Sequence, residues 1–433
     1  MGELYFGKRK IEGEEVQAYF DSMIRIIDDA GIVKGDVLVC ASKLQYGTYV
    51  QWNVCRKRGI IPLFVAPDYD VEHSKIREYT DAEYVMRVSE KMEFTLEKFT
   101  KGTGRHIEID NAAVIHMTSA TTGNPKLILR TKENLDLEMN RYCKAAGITK
   151  DDIMMSIAPY FHCYAFVGPL LACEYTGASL VFPDIIMPRN IISLCESMKI
   201  TYLYGVPYFF RKMVDVDAKY VLGKQMKTVV SSGEKLEKNV WQMFLDRFGI
   251  ELTQQYGSTE TGTITICQKG DPPECQGAPI EGNDISFKEE NNKNVMVVNT
   301  HGTMGYYIGE ETELIANDFY ETNDVGYFDD EGRLFIDGRK DDIIIRAGEK
   351  INLKIIGKII SENELIQKAE VVLDTNSELK ELVCFYSLVD DSMEIDEDKL
   401  LDFCKKRLSQ YQVPRKFIKK RLKLKNNWKH QEK

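Results

Sequence analysis

Apolar residues along the first 250 positions recur with helical spacing in some segments and form short unbroken runs in others. Glu14–Ala30 keeps its apolar residues on one face of a helix. Two short apolar runs, Asp36–Cys40 and Ile60–Val65, flank a helical stretch at Tyr49–Arg56. Strand–helix–strand alternation of this kind predicts an α/β fold with a mostly parallel sheet. The same criteria predict strands at Ser179–Phe182, Tyr202–Tyr204, Thr228–Ser231 and Ile250–Gln254, and helices at Asn190–Met198 and Glu237–Phe248.

From Asn283 onward the predicted strands become shorter and turns become frequent. Val295–Asn299, Tyr327–Phe328 and Leu334–Ile336 are the predicted strands, and the Asp/Glu/Gly turn at 329–332 closes a hairpin between the last two. A separate small unit, rich in Lys and Glu and ending in a basic segment, is expected after Arg339. The sequence therefore predicts a large α/β domain, a β-rich subdomain and a small carboxy-terminal domain.

Composition narrows the class of protein. An apolar share of 43% and a charged share of 29% are typical of a globular chain, and a net charge of −10 argues against non-specific nucleic-acid binding. The ten cysteines form no C-x-x-C pair, so we expect reduced thiols in the cytoplasm rather than disulfides or a structural zinc site. Met1–Lys10 does not resemble a signal peptide. The apolar stretch Cys163–Phe182 contains Glu174, so we expect a buried helix and strand there rather than a membrane span.

A loop rich in hydroxyl groups, Met117–Lys126, follows the apolar run 112–115. Backbone N–H groups, Ser and Thr hydroxyls and an ammonium group within one loop favour binding of phosphate oxygens. The alternative is an ordinary Ser/Thr/Gly/Pro loop. The segment lacks the G-x-x-x-x-G-K-[ST] pattern of a Walker A loop.

Two later segments place carboxylates where a nucleotide and its metal would need them. Tyr256–Gly262 follows a predicted strand and carries Glu260 among hydroxyl groups, as a Mg²⁺ ligand beside phosphate would require. Asp324 could accept hydrogen bonds from two ribose hydroxyls, and Arg339, across a hairpin, could add positive charge to the same nucleotide. Each feature alone is also common in solvated turns.

Taken together, these segments resemble the adenylate-forming superfamily of acyl- and aryl-CoA synthetases, luciferases and stand-alone adenylation domains. Ser119–Lys126 is similar to the family's S-G-T-T-G-x-P-K, with Ala120 for glycine, and Tyr256–Glu260 matches Y-G-x-T-E. Tyr320–Asp324 and Gly338–Asp342 resemble Y-x-T-G-D and G-R-x-D-D, with asparagine for the glycine of the first motif.

The resemblance implies that a carboxylate attacks the α-phosphorus of Mg-ATP, and that a thiol then displaces AMP from the acyl-adenylate. It implies an ATP site formed by Thr118, Ser119, Thr121, Thr122, Gly123, Lys126, Gly233, Glu234, Tyr256, Gly257, Thr259, Asp324 and Arg339. It also implies catalytic roles for Lys126 and Thr259, which would contact phosphate groups, and for Glu260, which would bind Mg²⁺. His162, Tyr204, Gly205 and Ser232 would border the acid.

The family's mobile carboxy-terminal domain implies three more assignments. The domains are expected at 1–338, with a β-rich subdomain at 283–338, and at 342–433, with a hinge at 339–341 centred on Asp341. Lys429 resembles the catalytic lysine that bridges carboxylate and α-phosphate, although Trp428 replaces the family's glycine. Gly348 would line the tunnel of the thiol.

The sequence leaves more than one acid and more than one thiol acceptor possible. Amino-acid-activating relatives use an aspartate near His162, but none occurs between Asp152 and Asp184, so we expect an aryl or short-to-medium acyl acid. The basic segment 415–425 suits the phosphates of CoA or an acidic carrier protein bearing phosphopantetheine. A non-catalytic nucleotide-binding protein is a further alternative, suggested by Ala120 and Trp428. We expect a monomer or a homodimer that binds no nucleic acid.

Overall fold

The strands and helices of this chain come from a computed structural model that describes residues 2–72, 74–102, 104, 106–118, 126–309, 312–315, 319–346, 349–374, 381–390, 392–408 and 412–420. The strands are β1 (Leu4–Phe6), β2 (Arg9–Lys10), β3 (Val37–Ser42), β4 (Ile61–Val65), β5 (Tyr84–Val88), β6 (Phe94–Lys98), β7 (Ala112–Met117), β8 (Leu127–Thr131), β9 (Ile153–Ser156), β10 (Ser179–Phe182), β11 (Tyr202–Gly205), β12 (Thr228–Ser231), β13 (Leu252–Ser258), β14 (Gly262–Ile266), β15 (Ala278–Pro279), β16 (Asp284–Glu290), β17 (Lys293–Asn299), β18 (Tyr306–Ile308), β19 (Thr312–Leu314), β20 (Tyr320–Phe328), β21 (Leu334–Arg339), β22 (Ile343–Arg346), β23 (Glu349–Asn352), β24 (Ile366–Leu373), β25 (Leu382–Leu388) and β26 (Lys416–Lys419).

The helices are α1 (Gly13–Asp29), α2 (Gln45–Arg58), α3 (Lys75–Tyr79), α4 (Lys132–Ala146), α5 (Cys163–Ala165), α6 (Ala172–Thr176), α7 (Pro188–Ser197), α8 (Pro207–Val214), α9 (Lys238–Phe248), α10 (Leu353–Ile360) and α11 (Glu397–Lys405). A π-helical segment, Phe166–Leu171, joins α5 to α6, and a 3₁₀ turn spans Lys340–Asp342. In the described part of the chain, no helix combines the length and hydrophobicity that crossing a membrane requires.

The chain divides into two compact units. The first consists of Met1–Ser286, Val297–Tyr320 and Phe328–Phe335, and the second of Phe287–Met296, Glu321–Tyr327 and Ile336–Lys433. The linear domain boundaries and the hinge expected from the sequence stay predictions.

Two large sheets form the first unit. The nine-stranded sheet has the order β15-β14-β13-β12-β11-β9-β10-β1-β2, with parallel pairing from β13 to β1. The eight-stranded sheet has the order β19-β18-β8-β7-β4-β3-β5-β6, with β7, β4, β3 and β5 parallel. One apolar core joins buried residues of both sheets to residues of α1, α2, α4 and the π-helical segment, for example Met23, Val50, Tyr142 and Phe166. The predicted α/β fold with mostly parallel sheets is confirmed.

The predicted elements recur with shifts of a few residues. The helix expected at Glu14–Ala30 is α1, where Glu14 and Glu15 in the first turn favour the positive end of the helix dipole. α9 ends at Gly249, whose φ of 67° allows the left-handed cap that the sequence predicted. The stretch 163–182 forms buried helical turns followed by β10, as expected.

The remaining sheets are small. A four-stranded sheet has the order β16-β17-β20-β21. In the second unit β22 and β23 form a hairpin, and β24, β25 and β26 form a sheet whose residues share a core with α10 and α11.

Candidate functional site

The two ends of the predicted phosphate loop are fastened together in the first unit. β7 and β8 form an antiparallel pair that ends with Met117 opposite Leu127. Thr118 N–H donates to the Lys126 carbonyl at 2.9 Å, and Lys126 N–H donates to the Thr118 hydroxyl oxygen at 3.0 Å. Thr118 therefore closes the base of the loop. The predicted ligands Ser119, Thr121, Thr122 and Gly123 lie outside the described residues, as does Ala120.

The Lys126 ammonium group lies over an aromatic ring. Its Nζ is 4.7 Å from the centre of the Tyr307 ring, and it forms no ion pair among the described residues. Tyr307 lies on β18, which pairs with β8, and its hydroxyl donates to that of Tyr320 at 3.3 Å. A ring face attracts a cation without neutralising it. The charge of Lys126 therefore remains available for an anion, and Tyr307 is a supporting residue that the sequence analysis did not identify.

The turn that carries Glu260 is rigid for identifiable reasons. β13 and β14 form a hairpin with a register shift at Tyr256 and Gly257. The Ser258 and Thr261 hydroxyls are 3.1 Å apart, and each also accepts from the other residue's N–H. A β-carbon on Gly257 would lie 2.2 Å from the Gly262 carbonyl oxygen, so a side chain at 257 would clash with the hairpin.

The hydrogen bonds between Ser258 and Thr261 hold Thr259 and Glu260 at the tip of this turn. Both residues are half-buried. The Glu260 carboxylate has no hydrogen-bond or ion-pair partner in the portion of the chain that the structure describes. A carboxylate oxygen is the ligand type that Mg²⁺ prefers, so Glu260 fits a metal ligand beside phosphate.

A buried ion pair supports the turn from below. Arg130 on β8 donates from Nη2 to Glu138 Oε2 of α4 at 2.7 Å, and each side chain is only 3% exposed. Glu138 Oε1 accepts from Thr263 N–H at 2.7 Å, at the start of the returning strand. The strand that follows the phosphate loop and the turn that carries Glu260 are thus connected through two charged side chains.

The helix that carries Glu138 begins where β8 ends. Thr131 and Asn134 form a capping box, in which each side chain accepts from the other residue's backbone N–H. The other end of α4 is Gly147, with a φ of 67°. This direct passage from strand to helix places Glu138 beneath β14.

Two of the residues expected to border the acid, Gly205 and Ser232, meet at the carboxyl ends of neighbouring parallel strands. Ser232 donates from its N–H to the Gly205 carbonyl at 3.3 Å and from its hydroxyl to the Gln255 carbonyl at 2.9 Å. The Tyr164 hydroxyl donates to the carbonyls of Gly205 and Val230 at 3.1 and 3.0 Å. Ligands in parallel α/β sheets typically bind at this edge. The carboxyl ends of β11, β12 and β13 therefore form the rim of the candidate site.

Tyr204 and His162 differ in what they offer to a substrate. The Tyr204 side chain is fully buried, and its hydroxyl lies 2.9 Å from that of Tyr142, which also donates to Gln255. Through Tyr142, Tyr204 is thus connected to Gln255 on β13. Its direct contact with the acid stays a prediction. His162 is half-buried beside Phe161, and burial lowers the pKa of its imidazole to about 4. The ring is therefore neutral at pH 7.

The neighbouring Cys163 connects this wall to the turn, because its thiol donates to the Thr259 hydroxyl oxygen at 3.4 Å. Gly233, with a φ of 81°, and Glu234 are exposed directly after Ser232. Their predicted position beside adenine stays a prediction.

The second unit contains the predicted ribose ligands. Arg339 Nη1 lies 3.1 Å from Asp324 Oδ1 and 3.1 Å from the Thr322 carbonyl oxygen. Asp324 is buried, and its N–H donates to the Thr322 hydroxyl oxygen at 3.1 Å. Asn323, which stands where the resembling motif has glycine, has a φ of 60°. Asparagine tolerates this left-handed conformation better than other side chains, which explains the exchange.

Of the other site residues predicted in the second unit, the structure describes Asp341 but not Gly348 or Lys429. Asp341 lies exposed in the 3₁₀ turn 340–342, after Lys340, which pairs with Glu290 and Glu321 at 2.8 and 3.0 Å. Gly348 and Lys429 lie outside the described residues, so the thiol tunnel and the catalytic lysine stay predictions.

A cavity of about 510 Å³ lies at the carboxyl ends of β3, β4 and β5, where the strand order reverses direction. Arg87 lines it, but its guanidinium already donates to Glu97 at 2.8 Å and to the Pro67 carbonyl at 2.6 Å. Lys43 is a further cationic side chain in its lining, and none of the residues that the resemblance assigns to ATP lies there.

Comparisons with known proteins agree with this geometry. The family model described as AMP-binding enzyme matches residues 18–306. A medium-chain fatty-acid–CoA ligase of Escherichia coli (strain K12) is 27% identical over 331 residues, which are 71% of this chain and 58% of that protein. A 2-succinylbenzoate–CoA ligase of Bacillus cereus (strain Q1) is 26% identical over 375 residues, 81% of this chain and 73% of that protein. The chain spans about three fifths of the length of the curated relatives that it matches first.

Solved structures show the same fold. The O-succinylbenzoate coenzyme A synthetase of Bacillus subtilis, in complex with AMP, superposes with a TM-score of 0.80 at 19% identity. The superposition covers 98% of this chain and 92% of that one. ATP-bound MatB from Rhodopseudomonas palustris gives a TM-score of 0.76 at 18% identity over 97% of this chain and 92% of that one.

Proposed function

Because the chain belongs to the family of AMP-binding enzymes, we propose that it is an acid–thiol ligase that activates a carboxylic acid with Mg-ATP and transfers the acyl group to CoA. In the first step a carboxylate oxygen bonds to the α-phosphorus while the bond to pyrophosphate breaks. In the second step the thiol sulfur bonds to the acyl carbon, AMP leaves, and the thiol proton passes to solvent.

The observation that carries this proposal is that a phosphate loop with fastened ends lies in the same unit as a rigid turn, whose Glu260 carboxylate has no partner among the described residues. Thr118 and Lys126 fasten the loop, and Glu260 stands on a turn braced by Arg130 and Glu138. Charge that builds on phosphorus is stabilised best by groups that are already in position. Lys126 would contact the phosphates and Glu260 would hold Mg²⁺, which supplies charge neutralisation on the phosphate oxygens when bound.

The acid is proposed to be an aryl or a short-to-medium acyl acid. The neutral His162 beside Phe161 and the Tyr164 ring make a wall with aromatic faces and without a fixed positive charge. Such a wall favours an apolar acyl group over a second carboxylate, because burying an unpaired charge there would be costly. The relative named for fatty-acid activation agrees with an apolar acyl group, whereas 2-succinylbenzoate, an aryl acid with a second carboxylate, is one that this wall would disfavour.

The experiment is acid-dependent ATP–pyrophosphate exchange with a panel of aryl and C4–C12 acyl acids. We expect exchange with at least one acid and none without acid. If ATP binds but no acid in a broad panel supports exchange, the non-catalytic alternative replaces the ligase. Offering CoA and a phosphopantetheinylated carrier protein to the active acid separates the two acceptors, and thioester on the carrier alone would replace CoA by the protein.

Two variants test the mobile-domain assignments. Lys429→Ala is expected to abolish adenylation but to spare transfer from a supplied acyl-adenylate, and equal loss of both steps would make the lysine structural. Asp341→Pro is expected to spare adenylation and impair thioester formation. Normal thioester formation in that variant would place the hinge elsewhere.

A further inference from the structure

Three side chains with metal-binding atoms meet in the first unit, apart from the proposed ligands of ATP. They are Cys267, Asp271 and Cys275, which together are called the Cys–Asp cluster here. The two sulfur atoms are 3.5 Å apart, and the three donor atoms lie within 4.8 Å of one another. A zinc site was not expected from the sequence, because its cysteines form no C-x-x-C pair; Cys267 and Cys275 are eight residues apart.

The hairpin explains how distant cysteines meet. β14 and β15 pair with Ile266 opposite Ala278, so the two cysteines lie on opposite arms of the loop that joins these strands. Gln254 of β13 fixes both arms. Its side-chain amide donates to the Cys275 backbone carbonyl at 2.7 Å, and its own backbone carbonyl accepts from Cys267 N–H at 2.7 Å. The sulfur atoms are therefore held close by the backbone.

The spacing suits a bound cation better than a disulfide. Zinc–sulfur bonds of about 2.3 Å in a tetrahedral site place two sulfurs about 3.8 Å apart. A disulfide needs about 2.05 Å. From the observed 3.5 Å, the two sulfurs would move apart by a few tenths of an ångström to bind zinc. They would have to approach by about 1.5 Å to form a disulfide.

The surrounding charge also favours a cation. Arg333 lies 3.8 Å from an Asp271 oxygen, but it is already paired with Asp329 at 2.8 Å and Glu331 at 2.9 Å. Three carboxylates thus surround one guanidinium. The Asp271 side chain is 18% exposed, whereas the cysteines are buried, so a cation would enter past Asp271.

We propose that the Cys–Asp cluster binds one Zn²⁺ through two thiolates and one Asp271 oxygen, with water as the fourth ligand. Both thiol protons pass to solvent on binding. The ion holds the two arms of the loop together, and Gln254 transmits this restraint to Leu236, whose N–H donates to its side-chain oxygen at 3.3 Å. The site thereby stabilises the loop 232–236, which borders the candidate adenine position.

The test is metal binding by the full-length protein, reduced and stripped with a chelator. Zn²⁺ affinity is measured by competition with a chromophoric chelator, and Co²⁺ is used as a spectroscopic probe. We expect one Zn²⁺ per chain, and visible Co²⁺ bands with a thiolate charge-transfer band. Cys267→Ser, Cys275→Ser and Asp271→Asn should each weaken binding by about 10- to 100-fold or more, the range that even outer-shell partners cost.

The control is Cys195→Ser, which removes a buried thiol on α7 and should bind Zn²⁺ like the unaltered protein. The Asp271→Asn variant, at a partly exposed side chain, keeps the test valid if a cysteine variant fails to fold. Unchanged affinity in Asp271→Asn would refute the three-ligand site. Absence of Zn²⁺ binding, with a Cys267–Cys275 disulfide forming under mild oxidation, would show that the pair is a redox couple instead.

Discussion

The buried pair of Arg130 and Glu138 permits the sharpest stability prediction. Glu138→Gln keeps the size of the side chain but removes its charge and one of its two acceptor oxygens. Arg130 then remains charged at 3% exposure, and either its Nη2 or Thr263 N–H faces an amide NH₂ group. Removing one partner of a buried ion pair typically costs about 3–5 kcal/mol in the free energy of unfolding.

The control is Glu281→Gln, at the exposed pair with Lys144, whose side chains are 77% and 71% exposed. Its shift in the urea midpoint should be small beside that of Glu138→Gln, because an exposed ion pair contributes little to stability. The double variant Arg130→Met/Glu138→Leu removes both charges and leaves only Thr263 N–H without its acceptor. We expect that variant to lose about 1–3 kcal/mol, less than Glu138→Gln alone.

The assay is urea-induced unfolding followed by tryptophan fluorescence in a Trp428→Phe background, so that the signal comes from Trp52 and Trp241 of the first unit. The slope with urea should not change, so that a shift in midpoint reports stability. Adenylation by Glu138→Gln should also fall at temperatures where the protein is folded, because Glu260 loses its brace. A loss no larger than that of Glu281→Gln would refute the claim that this pair supports the turn.

Substitutions at Gly262, Asn323 and Lys126 and one pH profile provide further tests. Gly262→Ala should cost at least about 1–2 kcal/mol by urea unfolding, because φ is 72° and the new β-carbon would lie 2.6 Å from the Glu138 oxygens; wild-type stability would contradict this. Asn323→Gly should retain the melting temperature and Asn323→Val should lower it, since only the latter strains a φ of 60°; equal melting temperatures would contradict this. Lys126→Met should raise the KM for ATP, while Lys132→Met, on an exposed helical position, serves as its control. Because burial lowers the pKa of His162 to about 4 from 6.5, the unfolded state binds its proton first, so stability is lost as pH falls from 6.5 to 4. His162→Gln should reduce that slope by about 1.4 kcal/mol per pH unit, and an unchanged slope would contradict the shift.

The sequence predicted much of the fold because short unbroken apolar runs mark strands buried in parallel sheets, and apolar residues at helical spacing mark the helices that cover them. Ser179–Phe182 and Thr228–Ser231 were predicted with the bounds that the structure has. The turn at Glu260 was readable from its glycines and hydroxyls. Asn323 was noticed as a departure from glycine, but only its backbone angle explains why the exchange is tolerated.

The ion pair of Arg130 and Glu138 was not predicted, because contacts between residues of different elements cannot be read from the order of residues along the chain. One signal existed. Glu138 lies on the apolar face of α4 with Leu135, Met139 and Tyr142, where an acid needs a buried partner. The sequence around Tyr307 carries no such signal, because Tyr307 contacts Lys126 only through the pairing of β18 with β8. Likewise Cys267 and Cys275 meet only through hairpin register.

The measurement that tests the central claim most directly is isotope transfer from the acid. An acid that supports exchange is labelled with ¹⁸O in its carboxylate and converted to thioester with ATP and CoA. Attack of the carboxylate on the α-phosphorus predicts one ¹⁸O atom in the released AMP and none in pyrophosphate. Label in inorganic phosphate, or thioester formation with unlabelled AMP, would contradict activation through an acyl-adenylate.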